Sequence, residues 1–172
     1  MKAIRAADTR PELLVRRALH RTGMRYRLHD RSLPGTPDIV LRSRGAVVLV
    51  HGCFWHGHDC PKGVLPATRR EFWDAKLQGN RERDARNATA LTDAGWRVAT
   101  VWECALTGRA RRDPDEVAAT IGRWLAGDEG ELTVAGLWRP EAPAAQVRGA
   151  DSEAGPQPAS APARADSRTT SS

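Results

Sequence analysis

The sequence predicts an α/β domain in which a mixed sheet is flanked by helices. Segments with helical periodicity alternate with short apolar, β-branched runs, and the predicted elements follow the order α-β-β-β-α-β-α. A tight hairpin in this order feeds a β-α-β unit, so antiparallel and parallel pairs belong to one sheet. Such a sheet needs helices on its faces to bury its apolar side chains.

Helical periodicity predicts three helices, over about residues 10–22, 68–94 and 113–127. The first two begin at capping boxes, at 9–12 and 68–71, and the third begins at Asp113-Pro114. The Gly79-Asn80 pair is expected to interrupt the second helix.

Four strands are predicted, over residues 24–28, 38–41, 46–50 and 96–102. The short connection at 42–45 makes the second and third strands an antiparallel hairpin, with Asp38 across from Leu49 or Val50. The third and fourth strands are joined through a helix. We therefore expect them to be parallel, with their carboxyl ends at the same edge of the sheet.

Length and charge set the domain organisation. The chain has 172 residues, enough for one domain, and a net charge of +6, which favours a polyanionic partner. Residues 139–172 hold four arginines and four acids, so the excess positive charge lies in the predicted domain, residues 1–138. The Pro/Ala/Ser-rich segment 139–172 is expected to be a disordered tail. No apolar run approaches the ~20 residues of a membrane span, and we expect a soluble, cytoplasmic protein with no membrane partner.

The cysteines have the spacing of a structural zinc site. Cys53, His58 and Cys60 lie within eight residues, and Cys104 lies just beyond the fourth strand. Because the third and fourth strands end at one edge, Cys53 and Cys104 are expected side by side. Four N and S ligands form the closed tetrahedron of a structural zinc. The spacing favours zinc over the alternative, which is incidental thiols beside a surface imidazole.

Asp38 is a candidate metal ligand at the same edge of the sheet. It is expected beside the backbone of the neighbouring strand, with His51 and His56 close by. A carboxylate, a free carbonyl and imidazoles suit a hard divalent ion such as Mg²⁺ and a general base near neutral pH, which is a hydrolytic arrangement. The alternatives are a structural turn aspartate after Pro37, and histidines that pack or bind metal.

Large aromatic side chains and arginines are candidates for DNA contacts. Phe54-Trp55 either wedges between base pairs of a kinked duplex or covers the metal site. Phe72-Trp73 has the same two interpretations, with one of these two residues expected in the core. Arginines at 69–70, 81–86 and 109–112 either position a phosphate backbone or form solvated helix faces.

Four separated motifs closely resemble the very-short-patch repair (Vsr) DNA mismatch endonucleases, in order and spacing, from about residue 3 to residue 126. They read LPGTPD at 33–38, HGCFWH at 51–56, PATR at 66–69 with EFW at 71–73, and GWRV at 95–98 with VWECAL at 101–106.

The resemblance implies a restriction-endonuclease-like fold with a structural zinc site and a Mg²⁺-dependent active site. It implies a nick on the 5′ side of the mispaired T in T:G mismatches, which arise when 5-methylcytosine is deaminated. The implied partners are double-stranded DNA carrying the mismatch and, functionally, a DNA cytosine-5 methyltransferase. The implied enzyme is a monomer associated with the nucleoid.

The resemblance also assigns roles to the active-site candidates. Asp38 matches the metal-binding aspartate, Val50 falls where a backbone carbonyl contacts the metal, and His56 matches the histidine that activates water. His51 and Glu12 match residues that position water and hydrogen-bond nearby. From the residues alone, Glu12 is a helix cap.

The remaining matches concern zinc and DNA. The structural zinc ligands of the family match Cys53, His58, Cys60 and Cys104. The aromatics that intercalate beside the mismatch match Phe54, Trp55 and Trp73. Arg69, in the PATR motif, is a candidate DNA contact.

Two other functions stay open at this point. One is a non-catalytic, zinc-stapled module that binds DNA mismatches without cutting. The other is a small restriction-type nuclease that cuts paired DNA. The presence of Asp38, His56 and Glu12 together favours an active enzyme.

Overall fold

The computed structural model describes residues 7–138. Within these residues the helices are α1 (Arg10–Arg21), α2 (Arg70–Asp93) and α3 (Pro114–Ala126). The strands are β1 (Arg27–Leu28), β2 (Ile39–Leu41), β3 (Ala46–His51), β4 (Arg97–Trp102) and β5 (Glu131–Val134). Short 3-10 turns follow β2 and β4, at Arg42–Arg44 and Glu103–Ala105. No helix in this part of the chain is both long enough and apolar enough to cross a membrane.

The strands form one mixed sheet in the order β1-β2-β3-β4-β5. The β1–β2 and β2–β3 pairs are antiparallel, whereas the β3–β4 and β4–β5 pairs are parallel. The predicted hairpin and the predicted parallel pair are both confirmed. Gly45 closes the hairpin in the left-handed region, at φ +56°, which a residue without a Cβ adopts at no steric cost.

Helices cover both faces of this sheet, because side chains alternate along each strand. On one face, α1 and α3 pack against Ala46 and Val48 of β3 and bury side chains such as Leu19 and Ile121. On the other face, Val47 and its neighbours on β2 and β4 pack against Leu91 of α2. The predicted α/β layering is confirmed.

The helix ends follow the predicted capping at α1 and α3 but not at α2. Thr9 caps α1 by accepting the backbone N–H of Glu12, and Asp113 caps α3. Helix α2 begins after Arg69, which is left-handed at φ 55° and makes no side-chain cap, so the second capping box is wrong. The predicted interruption at Gly79-Asn80 is also wrong, because α2 runs unbroken through it.

Strand β5 has no counterpart in the predicted element order. Its residues, Glu131–Val134, hold only two large apolar side chains, and they join the sheet through backbone pairing with β4. The predicted tail at 139–172 lies outside the described residues.

Gly79→Ala is expected to stabilise the protein by about 0.5–1 kcal/mol, because an exposed glycine within a helix costs backbone entropy. A Cβ at Gly79 meets nothing within 4 Å. The matched control is Gly95→Ala just beyond the same helix, where space is equally open but φ is +81°, so a loss of stability is expected. Chemical denaturation measures both, and a destabilised Gly79→Ala variant would show that the helix is strained at this point.

Candidate active site

A cavity of about 950 Å³ opens at the edge of the sheet where β2 begins and β3 ends. Its wall is built from the first turn of α1, the β2–β3 hairpin, the loop after β3 and one face of α2. The residues predicted to act in catalysis or hold Mg²⁺ all line it: Glu12, Asp38, Val50, His51 and His56.

The register of the hairpin holds Asp38 against the backbone of Val50. Asp38 lies opposite Leu49, as predicted, and the Val50 N–H donates to Asp38 Oδ2 at 2.7 Å. The N–H and C=O of one strand residue point to the same side, so the Val50 carbonyl also faces β2. The residue opposite Val50 in this register is Pro37, which has no N–H to donate to that carbonyl. A carboxylate and a backbone carbonyl thus meet at the cavity edge.

Burial raises the pKa of the Asp38 carboxyl to about 6, and the nearby Glu12 carboxylate acts in the same direction. The hydrogen bond from Val50 and the charges of His29 and Arg16 act against this rise. A carboxylate that resists ionisation in a partly dry cavity gains most when a cation is placed beside it.

His56 is oriented by an acid on α2. Its Nδ1 lies 2.5 Å from Asp84 Oδ2, and both side chains are about one-fifth exposed. An acceptor on Nδ1 places the ring proton there, so Nε2 is free to act as a base. One turn earlier on α2, Asn80 Nδ2 donates to the carbonyl of Trp55 at 2.9 Å. Helix α2 therefore holds the loop that carries His56 at two points.

His51, the last residue of β3, is sandwiched between two rings. It stacks on His56 with centroids 4.0 Å apart and meets the edge of Trp102 at 5.4 Å. Burial lowers the pKa of His51 to about 4, and the neighbouring His56 acts in the same direction. His51 is therefore neutral near physiological pH and able to donate one hydrogen bond and accept another.

Glu12 is buried in the first turn of α1. Its carboxylate accepts the Asp8 N–H at 3.0 Å, the Thr9 hydroxyl at 2.8 Å and Arg16 Nη2 at 2.7 Å. Glu12 is thus part of the helix cap, as the residue pattern predicts, and part of the cavity wall.

His29 lies between the two acids of the cavity. It follows β1 and stands opposite Asp38, to whose carbonyl it donates its backbone N–H at 3.4 Å. Its Nε2 lies 2.7 Å from Arg16 Nη2, and its Nδ1 lies 4.0 Å from Asp38 Oδ1.

The three cysteines and His58 form a buried cluster able to hold a metal ion. The ligand atoms of Cys53, His58, Cys60 and Cys104 all lie within 4.8 Å of one another. Cys53 and Cys104 lie side by side, as predicted, and the Cys104 N–H donates to Cys53 Sγ at 3.3 Å. One imidazole and three sulfurs at this spacing fit a tetrahedral metal.

One tryptophan connects this cluster to the cavity. Trp102 stacks on His58 with centroids 4.2 Å apart, while its edge faces His51. Burial raises the pKa of the Cys53 thiol, and the charge of neighbouring Cys104 adds to this. Burial also lowers the pKa of His58. Both shifts favour the neutral forms of these groups, and a cation bound at the cluster would reverse the preference of the thiol for its proton.

Four aromatic side chains form a patch beside the cavity, which we call the aromatic patch: Phe54, Trp55, Phe72 and Trp73. The ring centroids of Phe54 and Trp73 are 5.3 Å apart, and those of Trp55 and Trp73 are 6.1 Å apart. None of the four is buried, and Phe72 is 48% exposed, so the expectation that Phe72 or Trp73 lies in the core is wrong. The Arg69 guanidinium lies 4.5 Å above the Phe72 ring.

The aromatic patch does not cover the Cys/His cluster. The cysteines pack instead against Trp102, Ala135 and Trp138, from the end of β4 and the segment after β5. Of the two sequence interpretations of Phe54-Trp55, the geometry favours the one in which the rings are available to a ligand.

Two cavity residues escaped the sequence reasoning. His29 has a readable signal, because it directly follows one strand while Asp38 directly precedes the next. The sequence signal for Asp84 is weaker: Asn80, Asp84 and Asn87 repeat at helical spacing and form a polar row on α2. Asn80, Asp84 and Asn87 all line the cavity.

Comparison with known proteins identifies the family of this chain. Residues 1–62 match the family model described as DNA mismatch endonuclease Vsr. The chain is 42% identical over 128 residues to the DNA mismatch endonuclease Vsr of Escherichia coli, covering 74% of this chain and 82% of that protein. It is 54% identical over 107 residues to the type II nicking enzyme V.XorIIP of Xanthomonas oryzae, covering 62% and 79%. It is 46% identical over 110 residues to the type II nicking enzyme V.NmeAIP of Neisseria meningitidis, covering 64% and 79%. The chain belongs to the Vsr family and is a DNA endonuclease.

Proposed function

We propose that this endonuclease nicks double-stranded DNA on the 5′ side of the mispaired T in a T:G mismatch, in a Mg²⁺-dependent hydrolysis. One observation carries the proposal: three groups line the same cavity. They are the Asp38 carboxylate, the backbone of Val50 and His56, which is hydrogen-bonded to Asp84. The relative from E. coli is named a mismatch endonuclease, which supports a mismatch as the target. The proposal includes a restriction-endonuclease-like fold for residues 1–138 and very-short-patch repair, in partnership with a cytosine-5 methyltransferase, as the role.

The donor set at the cavity edge fits Mg²⁺, which prefers oxygen ligands and keeps several waters. Asp38 offers carboxylate oxygen and Val50 offers backbone carbonyl oxygen. A Mg²⁺ ion bound by these oxygens would supply stabilisation of the negative charge that develops on the phosphate and on the leaving oxygen.

His56 is the proposed general base. Asp84 holds the proton of the ring at Nδ1, so Nε2 accepts a proton from the attacking water and Asp84 stabilises the imidazolium that forms. His51, neutral and stacked on His56, is proposed to position that water, as is the buried Glu12. A histidine base explains how the site works without the acid-x-lysine motif of many nucleases, because Val50 and Gly52 occupy that region.

The aromatic patch is proposed to engage the mismatch. Flat side chains inserted between base steps unstack them and kink the duplex, and a mismatched step costs the least to open. Phe54, Trp55 and Trp73 lie beside the cavity with their rings in edge contact, so they present a continuous apolar wedge. Arg69, whose guanidinium lies over Phe72, is proposed to contact a phosphate of the DNA backbone.

The Cys/His cluster is proposed to hold a structural zinc. The loop that supplies Cys53, His58 and Cys60 also carries His56 and Trp55, so a metal that fixes the loop also fixes the base. A closed set of four protein ligands leaves no open position for catalysis.

The nicking assay uses end-labelled duplexes, one with a single T:G mismatch and one fully paired, with Mg²⁺ or EDTA. We expect Mg²⁺-dependent cutting of the T strand in the mismatched duplex alone. His56→Ala is expected to lower the rate by about 10²- to 10⁴-fold through loss of the base. Asp38→Asn is expected to abolish cutting, because it removes the anionic ligand.

Matched controls are His20→Ala and Asp93→Asn, which change exposed residues of α1 and α2 and should leave the rate unchanged. Equal cutting of both duplexes would establish a restriction-type nuclease instead. Mismatch binding without a nick would establish the binding module.

Zinc analysis of the purified protein is expected to give one bound zinc per chain. Cys104→Ser should lose the zinc. It should also lose a large part of the contribution that a structural zinc makes to the free energy of folding, which is on the order of 10 kcal/mol. His56→Ala, in the same loop but outside the cluster, should retain full zinc content. Wild-type protein that is folded and free of zinc would refute the structural role.

Binding of Mg²⁺ is expected to weaken in acid. The raised pKa of Asp38 means that the folded chain holds this proton up to about pH 6, and Mg²⁺ must displace it. Apparent affinity should therefore be nearly constant above pH 7 and fall by about tenfold for each pH unit well below 6. Titration calorimetry across this range tests it, with Asp38→Asn as the variant without binding. Affinity that is independent of pH between about 5 and 7 would contradict the assignment.

A further inference from the structure

Arg16 is a buried charge that the proposed mechanism does not use. Its side chain is 7% exposed, and it lies one turn after Glu12 on the face of α1 that borders the cavity. Burying a guanidinium is costly unless its hydrogen bonds are met. The two terminal nitrogens meet Glu12 Oε2 at 2.7 Å, Asp8 Oδ1 at 2.5 Å and His29 Nε2 at 2.7 Å, whereas the buried Nε has no hydrogen-bond partner among the described residues.

The same three partners have the geometry of a metal site. Ligand atoms of Asp8, Glu12 and His29 all lie within 4.8 Å of one another, the spacing of side chains that share a divalent ion. Arg16 already touches all three with its terminal nitrogens. Because an arginine in a protein is not deprotonated, this cluster holds a permanent organic cation.

Arg16 also sets the orientation of His29. A guanidinium only donates, so His29 Nε2 accepts from Arg16 and the ring proton sits on Nδ1. His29 Nδ1 lies 4.0 Å from Asp38 Oδ1, which is beyond direct hydrogen-bond distance but close enough for electrostatic interaction. Arg16 is thus hydrogen-bonded to His29, the neighbour of the proposed Mg²⁺ ligand, and also to Glu12.

We propose that Arg16 is a positioning residue that fills the Asp8–Glu12–His29 cluster in place of a divalent ion and holds Glu12 and His29 toward Asp38. The proposal rests on the proposed function, in which Asp38 holds the catalytic ion. It deepens that function by assigning a role to Arg16: the proposed Mg²⁺ ion is held at Asp38, and the neighbouring Asp8–Glu12–His29 cluster is occupied by an arginine instead of a second metal ion.

The test counts Mn²⁺ bound to the DNA-free, zinc-loaded protein, by electron paramagnetic resonance. Arg16→Met removes the charge with little change of volume, and it is expected to bind an additional Mn²⁺ per chain relative to wild type. Arg17→Met, the exposed neighbour on the same helix, is the matched control and should bind as wild type does. Arg16→Lys keeps a cation in the cluster and should also bind as wild type does.

Kinetics provide the second readout. At saturating Mg²⁺, Arg16→Met is expected to lower kcat by at least about tenfold with KM for DNA unchanged, because only the reacting groups lose their alignment. Arg16→Lys should recover part of kcat.

An unchanged Mn²⁺ count or an unchanged kcat in folded Arg16→Met overturns the proposal. If Arg16→Met does not fold, the Arg16→Lys variant decides. Binding of additional Mn²⁺ by Arg16→Lys overturns the proposal. A wild-type number of bound Mn²⁺ ions together with a lowered kcat supports the proposal. The Mn²⁺ count is made without DNA, so a wild-type protein that binds Mn²⁺ but does not nick T:G duplexes refutes the proposed function separately.

Discussion

The hydrogen bond from the Val50 N–H to Asp38 is the interaction on which the candidate site depends. Asp38 lies one residue before β2, opposite Leu49 of β3, and its carboxylate is therefore within reach of the Val50 N–H. The register behind it is set by the connection that ends at Gly45. A slip of one residue would turn Asp38 to the other face of the sheet and place its carboxylate away from the cavity. The position of the Asp38 carboxylate is therefore set by a short turn at the opposite end of the hairpin.

A second constraint, the parallel pairing of β3 with β4, couples the Cys/His cluster to the cavity. His51 pairs with Trp102 at the ends of these strands, and Cys53 and Cys104 each follow two residues later. The Trp102 ring consequently lies against imidazoles on both sides, one in the cavity and one in the cluster. The Cys/His cluster is in this way connected to the stacked histidines by direct packing of the Trp102 ring.

Much of this arrangement can be predicted from the sequence, and the failures have physical causes. The hairpin register follows from the short connection at 42–45, and the meeting of Cys53 with Cys104 follows from the parallel pairing of β3 with β4; both predictions are confirmed. Strand β5 escapes prediction because it is only four residues long and its two apolar residues, Leu132 and Val134, are too few to define a pattern, although both pack against the core. Gly79 lies in a continuous helix because side-chain contacts at Asn80 and Asp84 hold α2 against the loop, and local propensity does not encode contacts over such distances. The roles of individual cavity residues, including Asp84 and His29, depend on the same long-range contacts.

The two walls of the cavity differ in how they are held. Helix α1 is anchored by fully buried side chains such as Val15 and Leu19, so Glu12 and Arg16 project from a rigid support. Helix α2 buries only Leu77 and Leu91 among its described side chains, and polar contacts to the loop align its middle. Polar contacts at a solvent-exposed helix open more easily than a packed apolar core. We therefore expect the α2 wall, which carries Asp84 and begins at the aromatic patch, to be the one that adjusts when DNA binds. On the opposite wall, Asp38 and Glu12 keep their positions.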